Sequence, residues 1–278
     1  MRVAAIQMAS GPNINANLNE VARLVTQAVK TGAKLCVLPE GFSCMGMKVH
    51  DQLNFKEAAD GLGMLQQFLG QLAKNHGIWL VGGTIPLAID HSEKVRASCL
   101  LYNPAGQQVA RYDKIHLFDV DLGDSKQLHY RESEMIEAGN QVVVVQTPFG
   151  RLGMAVCYDL RFPELFRCMG ERQVDIIVVP SAFTALTGKL HWETLVRARA
   201  IENLAYVIAA NQGGFHVNGR ETYGHSMIVD PWGVVLAEQN HGAGVIHADL
   251  EPARLTHLRQ TFPAIKHRQF FCQIGHAS

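Results

Sequence analysis

The chain reads as an α/β protein, and three observations carry that reading. Strand-like and helix-like stretches alternate along its length. Three Pro/Gly turns join apolar strands: Asn103-Pro104-Ala105-Gly106, Thr147-Pro148-Phe149-Gly150 and Asp230-Pro231-Trp232-Gly233. No linker or low-complexity tract interrupts the pattern, so residues 1–278 are expected to form one domain.

The elements follow in order. Residues 3–8 form a short apolar strand. Residues 17–31 place Leu18, Val21, Ala22, Val25, Ala28 and Val29 at helical spacing and stop at Gly32. A second strand, 34–38, ends at Pro39. A helix over 62–75 exits at Gly77, and 78–85 returns as a strand. Strands 98–102 and 107–112 flank the first turn, 142–146 and 152–156 the second, and 226–229 and 234–237 the third. Between the last two pairs lie a helix from Pro163 to Met169, a buried strand over 174–179 stopped by Pro180, a helix over 190–203 and a strand over 205–210. Residues 41–56, 118–139 and 182–189 show little periodicity. Loops of that length in a compact protein tend to carry function.

Composition narrows the function. Apolar residues make up 47% and charged residues 18%, which fits a globular chain. Lys plus Arg and Asp plus Glu both number 25, so no cationic surplus is available for nucleic acid. No apolar run reaches membrane-helix length. The start, MRVAAIQMAS, reads as a strand rather than a secretory signal. Six scattered cysteines (Cys36, Cys44, Cys99, Cys157, Cys168, Cys272) form no CxxC pair and are expected to be reduced, in a cytoplasmic protein.

Three segments carry chemistry. In Leu38-Pro39-Glu40-Gly41-Phe42 a carboxylate stands just past a buried strand, where α/β sheets expose reactive groups; taken alone it reads equally as a solvated loop residue. In Tyr112-Asp113-Lys114-Ile115-His116 a lysine follows a strand, and alone it reads as a surface lysine with a buried stem. In Gly153-Met154-Ala155-Val156-Cys157-Tyr158-Asp159-Leu160-Arg161-Phe162-Pro163 an apolar strand runs into a cysteine, followed by a Pro-started helix. Backbone N–H groups at such a turn favour thiolate and developing negative charge. A buried structural cysteine is the competing reading. GxSxG, HExxH and GxxxxGK[ST] are absent. Of thirteen histidines, His116 and His191 adjoin these segments.

Taken together the segments resemble the nitrilase superfamily of carbon–nitrogen hydrolases, whose catalytic residues are Glu, Lys and Cys in that chain order. The resemblance implies Glu40 in LPEGF, Lys114 in YDKIHLFD and Cys157 in VCYDLRFPEL, with Glu132 in YRESEM as a second glutamate. It runs from AAIQMA near the start to HRQF near the end. It implies a four-layer αββα sandwich and needs no metal or organic cofactor. His191-Trp192-Glu193, Tyr223-Gly224-His225-Ser226-Met227 and the Asp230 turn bring the chain closest to the amidases of deaminated glutathione, with omega-amidases next.

The implied chemistry is amide hydrolysis through a cysteine thioester. Cys157 attacks; Glu40 acts as base and then acid, with a pKa raised toward neutrality by burial beside a second carboxylate; Lys114 and the Tyr158 N–H meet the oxyanion; Glu132 orients Lys114. The substrate implied is the amide of deaminated glutathione, giving 2-oxoglutarate and cysteinylglycine. Tyr158, Arg161, Phe183 and Thr187 are candidates to bind it. For Arg161 the alternative reading is a structural pairing with Glu164 or Asp159. A catalytically silent interaction module on the same fold is the reading from another class, and retention of all four residues argues against it. The 190–203 helix, with Leu195, Ala198 and Ile201 beside Arg197 and Arg199, implies a homodimer or larger, its bland alternative being a core helix.

Overall fold

Strand β1 (Arg2–Gln7) is buried on both faces, and its alternate side chains enter two different cores. Val3 and Ala5 face a central core; Ala4 and Ile6 face a second one shared with helices α1 (Ile14–Lys30) and α2 (Met64–His76). The computed structural model describes residues 1–123 and 129–270; Cys272 lies outside them.

The first sheet contains β1, β2 (Leu35–Val37), β3 (Trp79–Val81), β4 (Ile85–Ala88), β5 (Val95–Tyr102) and β6 (Gln108–Asp113). A small antiparallel pair follows, β7 (Asp119–Asp121) with β8 (His129–Arg131). The second sheet contains β9 (Val143–Thr147), β10 (Gly150–Met154), β11 (Ile176–Val178) and β12 (Tyr206–Ala209). Another small pair, β13 (Gly213–Phe215) with β14 (Glu221–Tyr223), precedes β15 (Ser226–Val229) and β16 (Val235–Gln239), which complete the second sheet. Strand β17 (Gly244–Asp249) returns to the first.

The first sheet runs β17-β1-β2-β3-β5-β4, with β6 also on β5; the second runs β16-β15-β12-β11-β10-β9. Each has three parallel strands at its centre, β1-β2-β3 and β10-β11-β12, and antiparallel strands outside. Their inner faces share one apolar core, Val3, Leu35 and Val37 meeting Leu152, Ile176 and Val207. Helices α1 and α2 cover the first sheet. Helices α3 (Pro163–Glu171) and α4 (Ala185–Asn203) cover the second with Phe166, Trp192 and Val196. The result is the four-layer αββα sandwich that the resemblance implied.

Several boundaries differ from the sequence expectation. Residues 78–85 divide into β3 and β4, because Gly82 and Gly83 turn the chain between them. Gly83 has φ +54, and a Cβ there would meet the Pro39 carbonyl oxygen at 2.2 Å, so only glycine lets this turn press against the segment leading into Glu40. The aperiodic stretch 182–189 is mostly helix: α4 starts five residues before the expected 190, with Thr184 as N-cap accepting from the Thr187 N–H. Gly188, packed on Tyr223, obscures the apolar spacing there. The aperiodic stretch 118–139 contains β7 and β8. Strand β17 and helix α5 (Pro252–Thr261) had no counterpart in the periodicity; α5 buries only Leu255 and so shows no apolar stripe.

Candidate active site

Glu40 and Cys157 leave the C-terminal ends of parallel strands, Glu40 after β2 in one sheet and Cys157 after β10 in the other. Leu38 still pairs with Val81, Pro39 ends the strand, and Gly41 at φ +64 turns the chain away, so the Glu40 side chain stays at the sheet end. Cys157 has φ +46, a left-handed conformation costly for a non-glycine residue. Its N–H donates to Pro180 O at 2.9 Å, and the chain then turns through one 3-10 segment, Cys157–Arg161, into α3. A strained cysteine between strand and helix is the geometry of an exposed nucleophile.

Asp159 secures this turn. Its carboxylate is fully buried and accepts from the Val156 N–H at 2.8 Å, the Tyr112 hydroxyl at 2.7 Å and the His116 N–H at 3.2 Å, and pairs with His116 Nδ1 at 2.7 Å. Arg199 of α4, buried as well, donates to Leu160 O from two nitrogens at 3.1 and 2.6 Å. Neither role was anticipated. Asp159 lies in the quoted motif but has no periodic signal, and Arg199 is grouped by sequence with the dimer-forming face of its helix.

Lys114 follows β6 and is 1% exposed. Its Nζ donates to Glu40 Oε1 at 2.8 Å and lies 2.8 Å from both oxygens of Glu132. Glu132 Oε2 accepts from the Phe118 N–H at 2.7 Å, and Glu40 Oε2 from the Ala182 N–H at 2.9 Å. The Cys157 thiol lies close enough to Glu40, Lys114 and the Ala182 N–H for each to act on its ionisation. Four residues distant in sequence thus converge.

The electrostatics follow from this packing. Burial pushes the Glu40 carboxyl up, but the Lys114 ammonium, its hydrogen bond, the Cys157 thiol and the Arg220 charge together hold it below its ordinary range. This reverses the expectation of a raised Glu40: the second carboxylate does not face it directly, because Lys114 stands between. Burial, and then the Glu40 charge, push the Cys157 thiol well above its ordinary value, against the pull of Lys114 and the Ala182 N–H. For Lys114, burial acts downward, yet Glu132, Glu40 and Cys157 outweigh it and raise the ammonium. At neutral pH Glu40 is a carboxylate, Lys114 an ammonium and Cys157 a neutral thiol.

A cleft of about 290 Å³ opens above these groups. Tyr158, Phe183 and Thr187 line it. Arg161 does not: it lies over the Tyr158 and Phe183 rings and sits 3.2 Å from His191 Nδ1. It pairs with neither Glu164 nor Asp159, whose oxygens are taken by the turn, so the structural pairing expected for Arg161 is corrected. Arg220 does line the cleft, in an irregular stretch before β14 that carried no pattern to reveal it.

A family model described as carbon-nitrogen hydrolase matches residues 2–260. The chain belongs to the carbon–nitrogen hydrolase family. This hydrolase is 41% identical over 270 residues to a protein of Synechocystis named deaminated glutathione amidase, covering 96% of this chain and 97% of that one. The yeast omega-amidase NIT3 is 35% identical, with 97% and 94% covered. Its crystal structure, described as a member of branch 10 of the nitrilase superfamily, superposes with a TM-score of 0.87 over 97% of each chain at 33% identity. A mutant amidase of Nesterenkonia sp. AN1, carrying an acrylamide adduct at its active site cysteine, superposes with a TM-score of 0.77 at 26% identity, covering 95% and 98%. The chain is a cysteine-dependent amidase of the nitrilase superfamily.

Proposed function

We propose that this hydrolase cleaves deaminated glutathione to 2-oxoglutarate and cysteinylglycine, with Cys157 as nucleophile and Glu40, Lys114 and Glu132 as its catalytic partners. The observation that carries the reading is the Lys114 ammonium held between Glu40 and Glu132 beside the buried thiol. Glu40 takes the Cys157 proton as the sulfur attacks the amide carbon. Lys114 Nζ and the Tyr158 N–H stabilise the tetrahedral oxyanion, a donor of this kind contributing about 3 kcal/mol. Cys157's own N–H is already bonded to Pro180, which leaves the next N–H in the turn for this role. The proton passes from Glu40 to the departing amine as the C–N bond breaks, leaving a thioester. Water then enters, Glu40 takes its proton, and collapse of the second tetrahedral state releases the acid and returns the proton to sulfur. Glu132, fixed by the Phe118 N–H, holds Lys114 in line.

Tyr158, Phe183 and Thr187 contact the substrate in this reading. The match over residues 2–260 supports one domain for the 278-residue chain. Buried cysteines at positions 36, 44, 99 and 157 that form no disulfide among the described residues are in keeping with a cytoplasmic enzyme. No helix among the described residues is long and apolar enough to cross a membrane. A homodimer is proposed from the exposed apolar side chains of α4.

The second reading is an omega-amidase, favoured by the yeast relative. The discriminating assay is kcat/KM for deaminated glutathione over that for 2-oxoglutaramate. Remote contacts to a cysteinylglycine leaving group act on turnover as well as binding. A ratio above about ten, or 1.4 kcal/mol of transition-state discrimination, is expected; a ratio below one transfers the chain to the omega-amidase reading.

A further inference from the structure

The geometry points to Arg220 as the residue that holds a carboxylate on the departing half of the substrate, and so sets the preference for an amide whose amine carries an acid group. The inference rests on the cysteine-amidase reading of the Cys157 site, and it adds a role for a residue which that reading does not use.

Arg220 stands at the end of the tight loop before β14. Its N–H donates to the Asn218 side chain at 2.9 Å and its carbonyl accepts from the His216 N–H at 2.9 Å, so its backbone is fixed. The guanidinium lines the cleft and lies 5.5 Å from the Tyr130 ring centroid. A guanidinium has five N–H donors in a rigid fork. Here Nη2 donates to Ala182 O at 2.7 Å, and Nη1 meets only the weak acceptor Met45 Sδ at 3.8 Å. Nε is buried with no hydrogen-bond partner. Among the described residues Arg220 makes no ion pair, whereas the other arginine lining the cleft, Arg131, is bonded to Asp121. A buried donor without an acceptor costs on the order of 1–3 kcal/mol, and an arginine fork is matched by the two oxygens of a carboxylate.

The side of the cleft follows from Ala182. Its carbonyl accepts from Arg220, while its N–H donates to Glu40 Oε2 at 2.9 Å. The Arg220 charge also helps to hold the Glu40 carboxyl low. Arg220 therefore stands on the Glu40 side of the sulfur. Glu40 is the acid that delivers a proton to the leaving nitrogen, so the departing amine passes on this side. A carboxylate on that amine meets the guanidinium of Arg220 at Nη1, which holds only a weak acceptor, while ammonia would leave it unfilled. This distinguishes a peptide-like leaving group from a primary amide by one named cation.

The test uses four substrates: 2-oxoglutaryl-cysteinylglycine, the same compound with a C-terminal carboxamide, and the acetyl counterparts of both. Wild-type enzyme is expected to prefer the carboxylate over the carboxamide by at least tenfold in kcat/KM within each acyl pair that it turns over. In R220Q that preference should fall to near one, and R220K should restore part of it. A merely structural role, in which Arg220 only holds Ala182, lowers both members of a pair alike and leaves the preference intact; that outcome overturns the inference, as does a wild-type enzyme with no preference. The wild-type comparison decides even if R220Q fails to fold. Turnover of acetyl but not 2-oxoglutaryl substrates would sink the proposed acyl specificity alone, because the carboxylate preference is still read in the acetyl pair.

Discussion

The Asp159 carboxylate, two residues past Cys157, meets the imidazole Nδ1 of His116, two residues past Lys114, at 2.7 Å. One buried acid thus ties the nucleophile turn to the segment bearing the lysine. It also accepts from Val156 and Tyr112, and His116 is stacked on Phe162 at 3.7 Å, which closes the link from the other side. Replacing Asp159 with Asn substitutes an N–H₂ for one acceptor oxygen among these donors. Each donor left unpaired costs about 1–3 kcal/mol, and small displacements of reacting groups cost on the order of 10² in rate. D159N should lose about that factor in kcat with KM little changed, and melt earlier. Near wild-type kcat in a folded D159N protein would show that the turn holds itself.

The three catalytic segments were legible because each couples an apolar strand to one reactive residue at its end, and strand ends survive a reading of periodicity. What holds them was not. Asp159 and Arg199 act through contacts with chain 39 to 47 residues away: Asp159 bonds Tyr112 and His116, and Arg199 bonds Leu160. No local pattern encodes such a partner. Lys114 explains why the expectation of a raised Glu40 failed, since two glutamates known only by position give no sign that a cation separates them; the thiolate expected at Cys157 failed because burial and the Glu40 charge outweigh the N–H groups of the turn. Strand β17 escaped notice because Gly244–Asp249 is half-exposed and mixes His and Asp with Val and Ile, although its pairing with β1 completes the first sheet.

Cys157→Ser should fold normally and lose about 10³-fold or more in turnover, since an alcohol is a far weaker nucleophile. A variant retaining near wild-type turnover would exclude Cys157 as nucleophile. Alkylation should distinguish it from the other thiols: Cys157 lines the cleft beside Glu40, whereas Cys36 and Cys99 are sealed in the core, Cys36 with its pKa pushed up to about 12 by burial. Iodoacetamide should label Cys157 before Cys44 or Cys168, as read by mass spectrometry.

The site should rest as thiol plus carboxylate, because Cys157 lies above its ordinary pKa and Glu40 below. No thiolate ultraviolet absorption from Cys157 is expected at neutral pH. The acid limb of kcat/KM should fall below the ordinary glutamate value of 4.5, as Glu40 takes up a proton. The sign for stability is the same. A carboxyl whose folded pKa is depressed stabilises the protein above its unfolded value, and that contribution fades as pH falls through the folded one. An E40Q protein should lack this part of the acid-side loss; an acid limb near neutrality would contradict the depressed Glu40.

Lys114→Met should abolish turnover and also destabilise the fold. Its ammonium is the common partner of Glu40 and Glu132. Removing one member of a buried ion cluster leaves uncompensated charge, at about 3–5 kcal/mol. Denaturant unfolding would measure it. If the double variant K114M/E132Q recovers stability but not activity, the two costs separate, the stability loss belonging to the unpaired charge and the turnover loss to the oxyanion donor. A K114M protein as stable as wild type would mean that the carboxylates protonate at little cost.

The outer face of α4 provides the last expectation. Trp192, Val196, Arg199 and Ala200 face the sheet, while Leu186, Leu190 and Ile201 are 54%, 71% and 46% exposed, with the Glu193–Arg197 ion pair between them. The helix is therefore both a core helix and an apolar outer surface, and Leu195 and Ala198, grouped with Ile201 by sequence, are half-buried at the margin. Two such faces brought together by a twofold axis would cover the leucines and let the charged pairs cross. Sedimentation at micromolar concentration should give about twice the 30.6 kDa chain mass, and L190E should shift it toward the monomer. Because Arg199 on the opposite face of α4 holds Leu160 O at the nucleophile turn, the dissociated variant should lose several-fold in kcat while Cys157 remains reactive to iodoacetamide. A wild-type particle of monomer mass would remove the dimer and leave the chemistry at Cys157 unchanged.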